Sequence, residues 1–141
     1  CTHLKLEKLV YLCFADYLCQ YDKELFNDFI YAYKYGPVVR SVYDRYKRNG
    51  NKEIEQDDEN IDTTGLCEMP SRSRIIFAED GIRKIKSIDE TIQKYGKYSA
   101  EELVNLTHRK LTPWDISGRG QYVDKKIENE IIKEYHCRET V

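Results

Sequence analysis

The stretch "LTHRKLTPW" gathers Thr107, His108, Pro113 and Trp114 within eight residues, and His108 is the one histidine set among residues that suggest a built corner. A histidine can serve as a general base, but only in a pocket and with a carboxylate to orient its ring. Asp16 and Asp115 are the candidates for that carboxylate. The plainer reading is a helix-end histidine beside a Pro-Trp corner packed on the core, since tryptophan is usually well buried. His3 and His136 lie near the chain ends, where exposed surface roles are expected.

Five cysteines stand at 1, 13, 19, 67 and 137, with no CxxC pair, and two of them fall inside an apolar helical pattern. That usage fits a reducing cytoplasm better than a disulfide framework. There is no glycine-rich phosphate loop, no HExxH, no GxSxG and no Cys/His set with metal-ligand spacing. The sequence therefore assigns no catalytic residue, no metal and no cofactor. A basic cluster, Arg40, Arg45, Lys47, Arg48 and Lys52, has Tyr43 and Tyr46 nearby and offers a nucleic-acid-binding alternative. Asp44 can neutralise Arg40 and Arg48 at helical spacing, and a net charge of −2 supplies no wider basic footprint.

These residues need elements to hold them. With 141 residues and 40% apolar content, the expectation is one domain with a single core, residues 1–141. Cys1 stands where an initiator methionine would, so the true start is expected upstream; what remains carries no signal-peptide pattern. The longest apolar run, "LVYLCFADYLC", is about half a membrane span and contains Asp16.

Leu6, Leu9, Val10, Cys13, Phe14, Tyr17 and Tyr21 recur at steps of three and four, predicting a helix over 3–20 with Thr2 as N-cap. Tyr11, Leu12 and Leu18 fill its other sides, so it should be the central helix, with Asp16 at its rim or satisfied by a partner. In "FIYAYKYG" the aromatics alternate, as on an extended arm. Pro37 then suits the first turn of a helix whose stripe is Val38, Val42, Tyr43 and Tyr46, closed by Gly50.

Residues 51–74 read as a long polar loop with an acidic patch that includes Glu55, Asp57 and Asp58; a small β-hairpin forms if "KEIE" pairs with "RIIF". Further helices are predicted over 80–95, from 100 to His108 behind the capping box "SAEE", and over 124–137. The fold class is mainly α, about five helices around the first.

Three ordered blocks, "LKLEKLVY" at 4–11, "YAYKYGPVVRSVYDRY" at 31–46 and "YGKYSAEELVNLTHRKLTPW" at 95–114, resemble the Panacea domain, also called the SocA-like antitoxin domain, found in bacteria and phages. The resemblance rests on Lys8, Tyr11, Tyr35, Gly36, Pro37, Val38, Tyr43, Thr107, His108, Pro113 and Trp114, among others. Glu7, where the family commonly has Gln, and Tyr33, near a common Trp, depart from the pattern. The resemblance implies a non-enzymatic antitoxin that binds a co-encoded toxin, in one branch by delivering it to a protease. It also implies that shared motif residues are scaffold. Partner contacts would then fall on Tyr33, Arg40, Arg45, Arg48, Glu55, Asp57 and Asp58, because interfaces favour Tyr and Arg.

Overall fold

The computed structural model describes residues 2–46 and 80–139. The chain runs α1 (His3–Tyr21), β1 (Ile30–Tyr33), β2 (Gly36–Val39), α2 (Arg40–Tyr46), α3 (Gly81–Tyr95), α4 (Ala100–Thr107), α5 (Pro113–Ile116) and α6 (Asn129–Glu139). Arg48, Glu55, Asp57, Asp58 and the "KEIE"/"RIIF" pairing lie outside the described residues.

Helix α1 is the central element, packed by α3, α4, α6, α2 and β2. Its apolar residues fill more than one face, which is why Tyr11, Leu12, Phe14, Ala15 and Tyr17 are all buried. Each such large side chain contributes about 2 kcal/mol of burial. The Thr2 hydroxyl caps the start by accepting from the Lys5 amide, and Asp22, in the left-handed region, closes the end. Asp16 is satisfied rather than stranded, with the Thr91 hydroxyl donating to its carboxylate at 2.8 Å. The capping box predicted at "SAEE" is present in full, with Ser99 and Glu102 bonding each other's amides.

The switch at Gly36-Pro37 takes a different form from the one expected. Pro37 opens no helix; it is the second residue of β2, which pairs antiparallel with β1 in the register Ile30–Val39, Tyr31–Val38, Ala32–Pro37 and Tyr33–Gly36. Helix α2 begins at Arg40, so Val38 belongs to the strand. The reason lies in the ladder. The Ala32 amide donates away from β2, to the Lys125 carbonyl at 2.8 Å. The Ala32–Pro37 pair is thus a non-hydrogen-bonded one, and the missing proline N–H costs the ladder nothing. Burial of Val38 and Val39 then favours strand over a first helical turn.

Two other boundaries shift. Residues 125–127, expected to be helical, run along the free edge of β1, where the Ile127 amide donates to the Ile30 carbonyl at 2.8 Å. This buries Ile127 and delays α6 to Asn129. Pro113 does start a helix, the one-turn α5, behind an N-cap from Thr112.

The two terminal histidines are buried, not exposed. His136 lies on the face of α6 turned to α1, its Nε2 2.9 Å from the Tyr11 hydroxyl; His3 packs on Tyr43 with ring centroids 5.7 Å apart. A disulfide joins Cys19 of α1 to Cys137 of α6, with Cα atoms 5.3 Å apart across 118 residues of sequence. No cysteine motif in the sequence announces that pairing. Burial pushes the free Cys13 thiol up to about 12, so it is inert at neutral pH. Among the described residues, no helix is long and apolar enough to cross a membrane.

Burial, with Lys94 adding to it, pulls His136 down to about 4. The folded state therefore binds fewer protons than the unfolded one between pH 6.5 and 4, and stability is lost as pH falls through that window. Up to about 3 kcal/mol is at stake. Urea unfolding of His136→Phe against wild type should show a flatter pH profile between 6.5 and 4 in the variant; identical slopes would mean that His136 titrates normally.

Candidate functional site

Lys8 is completely buried in α1, and its ammonium donates to the Pro37 carbonyl at 3.1 Å. That carbonyl is free for the task because, as its pairing with Ala32 requires, it points away from β1. Gly36 makes room. It has φ +114°, and a Cβ there would lie 2.9 Å from Lys8 Cε, 3.1 Å from His108 Nε2 and 3.2 Å from Lys8 Nζ. Only glycine meets both demands, the positive φ and the close approach of lysine and histidine.

His108 closes the other side, stacked on Trp114 with centroids 3.7 Å apart and planes 9° from parallel. The Trp114 indole N–H donates to the Tyr33 carbonyl at 2.6 Å, so α5 is pinned to the turn of the hairpin. Arg119 lies over the other ring system of the corner, 4.9 Å from Trp114, and pairs with Asp115 at 2.5 Å. Asp115 also accepts from the Leu111 amide at 2.8 Å. The Thr107 hydroxyl returns to the Leu103 carbonyl at 3.1 Å.

Among the described residues, neither Asp16 nor Asp115 is placed to orient His108 as a general base. Burial holds His108 below its usual value, and Lys8 and Arg119 push the same way against a Tyr35 backbone hydrogen bond. Its Nε2 has no hydrogen-bond partner. Of the two carboxylates that could have oriented it, Asp16 bonds Thr91 and Asp115 bonds Leu111 and Arg119.

In front of Lys8 opens a cleft of about 910 Å³ between the start of α1, the hairpin, α2 and residues 120–124. His3, Glu7, Tyr33 and Tyr43 line it, and Tyr35, Tyr122 and Val123 stand exposed around it. Glu7 is 3% exposed, and burial raises its carboxyl to about 7, with Lys8 opposing and Asp44 assisting. Burial likewise lowers Lys8 to about 8, with Glu7 opposing. The two are helix neighbours that both border the cleft, Lys8 with its ammonium turned to the Pro37 carbonyl.

The structure thus brings Lys8, Tyr35, Gly36, Pro37, Val38, His108, Pro113, Trp114 and the backbone of Tyr33 together, with Tyr43 packed edge-on to Tyr33 at 4.9 Å. Tyr11 lies apart, against His136. Arg40 is held by Asp44 and Asp124, each at 3.2 Å, and Arg45 is exposed near the end of α2. His3, expected at the exposed surface, lines the cleft instead, and Gly120 went unnoticed in the sequence. Gly120, at φ +78°, passes so close to the hairpin that a Cβ would lie 2.7 Å from the Tyr33 carbonyl.

What this geometry defines is a mainly helical domain in which Lys8, Gly36, Pro37, Val38, Pro113 and Trp114 are buried while Tyr35 is exposed, with a cleft in front of Lys8. The chain belongs to the family described as Antitoxin SocA-like, Panacea domain, whose model matches residues 6–115. It is similar to "Antitoxin SocA" of Caulobacter vibrioides (strain NA1000 / CB15N), with 31% identity over 120 residues. That alignment covers 84% of this chain and 61% of the relative, so the chain spans about three fifths of the relative's length. No solved structure matches the chain.

Gly36→Ala should lower the free energy of unfolding by roughly 2–4 kcal/mol, from the strained φ and the clash with Lys8 and His108. Chemical denaturation checks this. A loss below about 0.5 kcal/mol, the size of an ordinary surface change, would mean that Lys8 does not occupy the space the glycine leaves.

Proposed function

We propose that this chain is an antitoxin that neutralises a co-encoded toxin by direct protein contact, without catalysis. The observation that supports this most is membership of the SocA-like family, joined by similarity to a protein named for that role. The geometry is consistent with a binding domain. Lys8, Gly36, Pro37, Val38, Pro113 and Trp114 are buried and hold one another in place. Contacts that choose a partner then fall to half-buried Tyr33 and the Arg40 and Arg45 face of α2, together with Arg48, Glu55, Asp57 and Asp58, which lie outside the described residues. A fold that keeps its interior and varies its surface suits partners of unlike kinds.

We place this activity in the cytoplasm, where reductants would hold Cys19 and Cys137 as thiols; acid-quenched alkylation of the protein from cells would show them blocked if they are instead oxidised.

The test is the neighbouring reading frame. Expressed alone it should stop growth, and co-expression of this chain should restore it, with the two proteins retained together on a pull-down. Arg45→Glu should weaken that retention at unchanged melting temperature, since Arg45 is exposed. The toxin's lifetime separates two routes: a stable bound toxin means occlusion, and a toxin that disappears only with this chain present means delivery to a protease. If no adjacent gene product is toxic, the antitoxin reading fails.

A further inference from the structure

The cleft in front of α1 has an acidic floor that the fold leaves incomplete. Among the described residues, Glu7 Oε1 is buried with no hydrogen-bond partner, and the other carboxylate oxygen has only His3 Nε2, 3.5 Å away. A buried carboxyl with an idle oxygen is costly unless something donates to it. The rings around it are aromatic: His3 lies against Tyr43, and Tyr43 meets Tyr33 edge-on at 4.9 Å.

Among the described residues, the cations nearby are already engaged. Lys8 turns its ammonium to the Pro37 carbonyl, Arg40 is held between Asp44 and Asp124, and Lys34 sits over the Tyr35 ring at 5.4 Å. A carboxyl short of a donor, walled by aromatic faces, suits a guanidinium or alkylammonium group, which gains both a charge-assisted hydrogen bond and cation–π contact. The rim says how that group arrives. Tyr35 is 60% exposed, Tyr122 61% and Val123 93%, an apolar border that a protein surface covers and a small free cation does not.

We infer that this cleft seats an arginine or lysine side chain of the protein partner, with Glu7 as its counter-charge, Tyr33 and Tyr43 as its walls, and Tyr35, Tyr122 and Val123 as the surrounding contact. This deepens the antitoxin reading by naming the chemistry of one contact. The test below contains no toxin, so its failure and a failed neutralisation assay are separate results.

The probes are N-acetyl-arginine methylamide, the corresponding glutamine derivative, and spermidine, each titrated into the full chain and followed by amide shifts in nuclear magnetic resonance. The arginine probe should bind saturably, in the millimolar range, with shifts centred on Glu7, Tyr33 and Tyr43. Glu7→Gln should weaken it tenfold or more. That variant removes a buried acid and should not lower the melting temperature. Tyr43→Leu should weaken binding several-fold while Tyr43→Phe keeps it, a pattern that separates an aromatic wall from a hydroxyl contact. Equal binding of the glutamine probe, or unchanged affinity in Glu7→Gln, would overturn the site. Tighter binding of spermidine than of the arginine probe would overturn the protein side chain as occupant.

Discussion

One buried ammonium organises this fold. Lys8 has no exposure to solvent, and a lysine so placed survives only if its charge meets an oxygen fixed in advance. The Pro37 carbonyl is that oxygen, and several features follow from presenting it at 3.1 Å. The hairpin must pair in the register that turns Pro37 away from β1. Gly36 must lack a side chain. His108 must come close on the far side and be braced by Trp114, whose own N–H holds the turn at Tyr33. A helix, a hairpin and two helix ends are therefore tied by contacts that no single element could make.

The same arrangement divides inside from outside. Lys8 and Glu7 are successive residues of α1, yet burial drives them to opposite tasks, because neighbouring positions on a helix point in different directions. One ties the scaffold. The other lies in a cleft with an oxygen left unpaired.

Much of the fold was legible in the sequence because local rules and burial agreed there. The all-round apolar pattern marked α1 as central, and Ser99 and Glu102 announced α4. Pro37 misled, because fixed φ and a missing N–H suit a helix start and a non-hydrogen-bonded strand position equally well; only the pairing partner decides. His136 and His3 misled because nearness to a terminus says nothing of burial when the terminal helix docks on the core. The ordered Lys8, Gly-Pro and His-Trp marks name residues that meet in the structure, without showing what joins them. Their link runs through a carbonyl and a steric gap, and neither leaves a trace in residue identity. The Cys19–Cys137 pair, far apart in sequence and without a motif, left none either.

Native-state hydrogen exchange of Lys8→Met tests the central tie most directly. If the lysine holds the hairpin to α1, the amides of Tyr31 and Val38 should lose protection relative to those of Leu12 and Leu103 in the core, so that the hairpin opens as a separate low-energy step. If hairpin and core amides keep the same relative protection in the variant as in the wild type, the fold does not depend on the Lys8–Pro37 contact.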